Sequence, residues 1–233
     1  VPRILSIKDN YIRERDAVAQ CAKDNSRDSK GVLLLSVSKT VGPEGVAEAI
    51  EAGACAFGEN RPEQIVQKAE LYPQVDWHFI GNIQSRKIRD IVNHATLIHS
   101  VYKPEHLPKI DTAAKEAGKT QRILVEVNVS GEASKSGLAP DEVQGFVDEA
   151  LTFPNILVCG LMTMAPQGDA EAVEQTFAGL KELFDSVRSA LPATAQDAFC
   201  EISAGMSEDW QCAIAHGSTI VRLGRAIFTD NFN

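Results

Sequence analysis

Lys39 closes an apolar run, Gly31-Val-Leu-Leu-Leu-Ser-Val-Ser-Lys39-Thr40, that reads as a buried β-strand ending in a cation. Desolvation disfavours an ammonium group in such a setting and lowers its pKa. A lysine placed there is a candidate amine nucleophile, able to form a Schiff base with a carbonyl. The alternative is a strand-end lysine whose charge snorkels to water. Two later stretches bear on the choice. Ser203-Ala-Gly-Met-Ser207 and Gly224-Arg225 each follow a short apolar strand. Glycine turns and helix starts aim backbone N–H groups at anions, and hydroxyls add donors, so the pair reads as a phosphate cradle. Arg222 lies within the last apolar strand, where a buried cation needs a partner. Glu201, another interior carboxylate or a bound ligand is expected to meet it.

These residues need a frame. Residues 6–24 read as a polar leading helix with Ile7, Tyr11, Val18 and Cys21 as a loose apolar stripe. Strands are then expected over 32–38, 54–57, 77–80, 96–101, 122–129, 156–164, 199–202 and 219–223. Helices fall between them over 43–51, 62–71, 104–117, 141–151, 170–190 and 210–215, with a further one capped by Ser85. Strict alternation with short connections implies a parallel sheet covered by helices. Eight such units in 233 residues predict a single (β/α)8 TIM-type barrel with an extra N-terminal helix, one domain over residues 1–233. A doubly wound sheet is the runner-up, but the turn after the first strand, Ser38-Lys-Thr-Val-Gly-Pro, lacks the G-x-G-x-x-G pattern.

Barrels place function where strands hand over to helices. Residues two apart on a strand share a face, so Leu33, Leu35 and Val37 line the interior below Lys39. By the same parity Glu126, Asn128 and Ser130 share a face, as do Glu201, Ser203 and Gly205, and Ile220, Arg222 and Gly224. Lys39, Asn60, Asn128, Ser203 and Arg222 are therefore expected to converge on one end.

Composition narrows the partners. A net charge of −9 argues against nucleic acid or an anionic membrane as the main partner. The cysteines Cys21, Cys55, Cys159, Cys200 and Cys212 are odd in number and scattered without metal-ligand spacing, which indicates reduced thiols and no metal site. Cys55, Cys159 and Cys200 fall in apolar runs and are expected to be buried. The first residues are too short in apolar character for a signal peptide, and no stretch is long enough to span a bilayer. A cytoplasmic protein is expected.

An imine-forming lysine, a phosphate cradle and a buried arginine together suggest pyridoxal 5′-phosphate (PLP). Its aldehyde would meet Lys39, its phosphate the Ser203–Ser207 turn and Gly224-Arg225, and its ring nitrogen Arg222. An arginine there keeps that nitrogen unprotonated and weakens the ring as an electron sink. A Schiff-base aldolase acting on a phosphorylated substrate through Lys39 uses the same groups.

Several blocks in order resemble the YggS/PROSC family of PLP homeostasis proteins, related to the barrel domain of alanine racemase. They are Ser36-Val-Ser-Lys39, Phe57-Gly-Glu-Asn60, Trp77-His-Phe-Ile-Gly81 with Gln84 and Lys87, and Val127-Asn128 with Ser134-Lys-Ser-Gly137. Gly160-Leu-Met162, Ser203-x-Gly-Met-Ser207, and Gly217-Ser-Thr with Val221-Arg-x-Gly224 complete the set. The resemblance implies a fold-type III PLP protein that holds PLP as a Schiff base on Lys39. It further implies Ser203, Gly205, Met206, Ser207, Gly224 and Arg225 around the phosphate, Arg222 near the ring nitrogen, and Asn60 and Met162 lining the pocket. The implied role is intracellular PLP homeostasis with little or no turnover, with PLP-dependent apo-enzymes as recipients and a monomeric state. The family's terminal Ala-Ile-Phe-Gly reads Ala226-Ile-Phe-Thr229 here. A racemase- or lyase-like enzyme is the alternative, but racemisation needs two acid/base groups on opposite faces, and a second, β-rich domain to supply the other is not expected within residues 1–233. His78, in an apolar strand, reads equally as a core or a pocket residue. Lys135, in a polar loop, reads as a solvated charge or a secondary PLP or substrate contact.

Overall fold

The computed structural model describes residues 6–229; the readings made on residues 1–5 and on 230–233 lie outside the described residues. Helix α1 (Ile7–Asp24) starts at Ser6, whose hydroxyl accepts from the Asp9 N–H at 3.1 Å while Asp9 reaches back, a capping box. Then follow β1 (Leu33–Val37), α2 (Pro43–Glu51), β2 (Ala56–Glu59), α3 (Pro62–Leu71), β3 (Asp76–Phe79), α4 (Ile88–His94), β4 (Leu97–Val101) and α5 (Leu107–Glu116). The second half holds β5 (Gln121–Glu126), α6 (Val143–Ala150), β6 (Ile156–Met162), α7 (Ala170–Ala190), α8 (Ala193–Gln196), β7 (Glu201–Ser203), α9 (Trp210–Ala215), β8 (Ile220–Leu223) and α10 (Arg225–Phe228).

The eight strands close in sequence order, and β8 pairs in parallel with β1 from Leu33↔Ile220 to Ser36↔Leu223. The expected (β/α)8 barrel is what forms. Helix α1 is the extra element, packed against α2, α9 and α10, with the Asn10 amide donating to the Ile227 carbonyl at 3.2 Å.

Two apolar shells follow from strand parity. The shell between sheet and helices holds Leu34, Phe57, Ile65, Trp77, Phe79 and Phe177, with the Phe57 and Trp77 rings 5.3 Å apart. The barrel interior holds Leu35, Ala56, Leu97, Leu124, Cys159, Met162 and Ile220. Each large buried side chain contributes about 1.5–3 kcal/mol, so the outer shell dominates stability.

Several expected elements shorten. β5 stops at Glu126: the Val127 N–H still donates to the Met162 carbonyl at 2.8 Å, but the Glu126 carbonyl and the Asn128 N–H pair with Leu138 instead of β6. β2 begins at Ala56 and β7 at Glu201, so Cys55 and Cys200 precede their strands and are exposed, while Cys159 is buried as expected. Ser85 caps nothing: it is the first residue of a 3-10 turn that leads into α4.

Candidate functional site

Lys39 stands on an anchored backbone. Behind it lies an ion pair between Lys68 of α3 and Glu59 of β2, 2.6 Å apart, with both side chains fully buried. The same ammonium donates to the Ser38 carbonyl at 2.9 Å, and the Ser38 hydroxyl donates to Glu59 at 2.7 Å. The Ser38 N–H donates to the Gly58 carbonyl at 3.1 Å. The residue before Lys39 is thus held through its N–H, carbonyl and hydroxyl. Lys39 itself is exposed, not buried, because β1 ends two residues earlier and the chain has turned out onto the rim. Placement, rather than burial, sets this amine apart.

The rim borders a cavity of about 1120 Å³, slightly above the roughly 300–1,000 Å³ usual for small-ligand pockets and so with room for a cofactor-sized ligand. Lys39, Asn60 and Met162 lie on its wall, as do Met206, Ser207, Arg222, Gly224 and Arg225. Ser203 and Gly205 are buried outside the wall and support it instead. A Cβ on Gly205 would stand 2.8 Å from the Trp210 Cα, and its φ of +95° suits glycine. The Gly205 carbonyl accepts the Arg222 N–H at 2.9 Å. At the opening of this turn the Met206 N–H donates to Asp209 Oδ1 at 2.6 Å. Burial pushes the Asp209 carboxyl up, against the pull of that N–H and of Arg222.

Arg222 is buried and points inward from β8. Its Nη1 donates to Ser203 Oγ at 2.7 Å and its Nη2 to the Thr163 carbonyl at 3.0 Å. Glu201 is not its partner: that carboxylate lies 3.5 Å from Arg122 and accepts from the Thr219 hydroxyl at 2.6 Å. Burial lowers Arg222 to about 10, still charged at neutral pH, with Asp209 and Glu126 opposing the shift. Burial in turn pushes Glu126 up to about 7, against the pull of Arg222.

Below Arg222 a polar chain descends the barrel. Ser203 Oγ lies 2.8 Å from His99 Nδ1, and His99 Nε2 lies 2.9 Å from His78 Nδ1. The Ser203 oxygen accepts from Arg222, and each neutral imidazole brings one donor and one acceptor nitrogen to the chain, so every link of Ser203–His99–His78 can be a hydrogen bond. Burial lowers His78 to about 3 and His99 well below its usual range, so both rings are neutral. His78 is therefore a satisfied core histidine. Asn128 leaves the expected convergence: its amide closes the following loop by donating to the Glu132 carbonyl at 2.9 Å. Lys135 donates to the Met164 carbonyl at 3.2 Å and lies 3.5 Å from Glu132, fastening that loop to the end of β6.

Sequence reasoning missed Lys68, His99, Thr163 and Asp209. A signal existed for Lys68, which shares the apolar stripe of Ile65 and Ala69 on α3. The donor set fits a phosphorylated aldehyde: an amine at Lys39, a buried guanidinium at Arg222, and a hydroxyl, a glycine and a cation at Ser207, Gly224 and Arg225.

Residues 17–231 match the alanine racemase N-terminal domain family. A pyridoxal phosphate homeostasis protein of Pasteurella multocida is 32% identical over 229 residues, covering 96% of this chain and 97% of its own length. An unknown protein from Bifidobacterium adolescentis superposes with a TM-score of 0.89 at 34% identity, covering 95% of this chain and 94% of that one. PipY of Synechococcus elongatus PCC7942, solved with PLP bound, gives 0.79 at 30% identity, covering 91% and 99%. The chain belongs to the pyridoxal phosphate homeostasis protein family within the alanine racemase N-terminal domain family.

Proposed function

We propose that this chain binds PLP in the rim cavity, on Lys39, and serves PLP homeostasis as a holder of the cofactor rather than a turnover enzyme. The observation that carries the reading is the presence of Lys39, Arg222, Ser207 and Arg225 on the wall of one cavity. The PLP-bound PipY structure, at 30% identity, supports it. PLP brings a reactive aldehyde and a ring that acts as an electron sink. The Lys39 amine is the group that takes the aldehyde. Ser207, Gly224, Arg225 and Met206 receive the phosphate, and Asn60 and Met162 bound the ring. Ser203 and Gly205 act one layer back by fixing Arg222. The Arg222 guanidinium faces the ring nitrogen and keeps it unprotonated, which favours storage over carbanion chemistry. Residues 1–233 act as one domain in this reading; the closed barrel supports it. A cytoplasmic monomer handing PLP to apo-enzymes completes the proposal; no helix among the described residues is long and apolar enough to cross a membrane.

An absorption spectrum tests it. The chain with PLP should show a long-wavelength band that Lys39→Ala lacks, and added amino acids should be neither racemised nor cleaved. A chain that PLP cannot colour contradicts the site. Clear amino-acid turnover contradicts the holder role and favours the racemase-like alternative.

A further inference from the structure

The cavity extends well away from Lys39, to Val173 and Glu174 of α7 and to Gln211 and Cys212 of α9. At that far wall three ligand-bearing side chains meet. Cys212 and His216 are four residues apart, which puts both on one helical face. His216 caps α9 with φ −94° and ψ 20°, close enough to helical to keep the spacing. Glu174 arrives from α7. Its Oε2 lies 3.1 Å from Cys212 Sγ and its Oε1 accepts from His216 Nε2 at 2.8 Å. The three ligand atoms all lie within 4.8 Å of one another, the one such grouping of three among the described residues.

We propose that Glu174, Cys212 and His216 bind a divalent transition-metal ion of the zinc class. A thiolate, an imidazole and a carboxylate form a set that zinc and cobalt accept and that magnesium and calcium do not favour. Three protein ligands leave the fourth tetrahedral position for water or a cavity ligand, as in open zinc sites. Glu174 and Cys212 both lie on the cavity wall, so that position communicates with the cavity. The existing contacts match a metal-free site, in which the carboxylate accepts the protons that the ion replaces. On binding, the Cys212 S–H bond breaks, its proton goes to solvent and a sulfur–metal bond forms. The Nε2 proton that His216 donates to Glu174 must also leave, moving through solvent to Nδ1 in a neutral ring or lost to solvent from an imidazolium. Nε2 then coordinates with the ring proton on Nδ1, and Glu174 turns an oxygen to the ion. The two positive charges are then matched by thiolate and carboxylate. A Cys-His-Glu nucleophile triad does not fit the geometry, because sulfur and imidazole each contact Glu174 rather than forming a Cys–His–Glu relay. The proposal departs from the expectation of no metal site: Cys212-x-x-x-His216 supplies only two ligands locally, and the third lies far away in sequence on α7.

The site does not depend on PLP, and neither does its test. Cobalt(II) is titrated into the full chain under reducing conditions without chelators. The expected result is one equivalent bound, with a thiolate-to-cobalt charge-transfer band and strong four-coordinate visible bands that zinc displaces. Cys212→Ser should abolish the charge-transfer band, and His216→Ala and Glu174→Gln should each weaken binding about tenfold or more. All three side chains are half-buried or exposed, so circular dichroism should show the variants folded. Absence of a stoichiometric band overturns the proposal and leaves a hydrogen-bonded brace between α7 and α9. A band that survives Cys212→Ser overturns it equally, assigning the ion to another thiol.

Discussion

Among the described residues Lys68 and Arg222 are buried cations, and their charges are met in opposite ways. Lys68, on the helix side of the sheet, lies 2.6 Å from Glu59 and spends its remaining hydrogen-bonding on the Ser38 carbonyl. Arg222, in the barrel interior, donates only to a hydroxyl and a carbonyl, and among the described residues no carboxylate forms an ion pair with it. Glu126 and Asp209 act on it at longer range, and burial pushes both toward the neutral form. A paired buried charge organises backbone; an underpaired one on a cavity wall is a charge kept for a ligand. The first fixes where Lys39 stands, and the second faces what Lys39 would hold.

The largest effect should come from breaking the closed pair. Lys68→Met leaves the Glu59 carboxylate buried without its cation, at a cost of about 3–5 kcal/mol. Lys68→Met combined with Glu59→Gln should recover most of that, because the amide still accepts from Ser38. Denaturant midpoints of the single and double variants measure the difference. If the single variant loses no stability, the pair does not anchor Ser38.

The looser arrangement should show itself in pH dependence. Glu126 has its folded pKa raised to about 7 from the ordinary 4.5, so its contribution is full below that lower value and is lost as pH rises through the higher one. Glu126→Gln should flatten the curve, its advantage over the native chain growing by on the order of 3 kcal/mol from acid to mildly alkaline pH. An unchanged pH profile would mean that Glu126 is not desolvated.

Arg222→Met leaves the Ser203 and Thr163 acceptors without their donor, at about 1–3 kcal/mol each, but it also removes an underpaired buried charge, so the net loss should be smaller than for Lys68→Met. It should also move Glu126 titration upward, since the guanidinium pull is gone. A loss as large as that of Lys68→Met would erase the distinction between the two cations. Smaller still, Ser207→Ala with Arg225→Ala should weaken PLP retention about tenfold, the scale of one or two hydrogen bonds, with folding intact. Arg225 already pairs with Glu208 at 2.7 Å, both about half exposed, so its share is modest. Equilibrium dialysis against PLP reads this out.

Much of the architecture was legible because alternation of apolar strands and capped helices is a local pattern. Helices Pro43–Glu51, Pro62–Leu71 and Ala170–Ala190 fall where proline starts and apolar stripes put them. Parity correctly turned Leu35 and Arg222 inward. What failed were pairings across the barrel, which no local pattern encodes. Glu201 shares a face with Ser203, yet it lies lower in the barrel, level with Arg122. Asn128 lost its parity once the chain left β5. Lys39 looked buried because its neighbours are apolar, but the ladder ends before it. Lys68 and Glu59, nine residues apart on different elements, were invisible as a pair until the barrel closed.

Borohydride reduction of the chain with PLP, followed by peptide mapping, tests directly whether the anchored amine of Lys39 takes PLP, as proposed. The prediction is a single stoichiometric phosphopyridoxyl mass increment on the peptide containing Lys39, with none at Lys135. Label spread over surface lysines, or label that persists at full stoichiometry in Lys39→Ala, would contradict it.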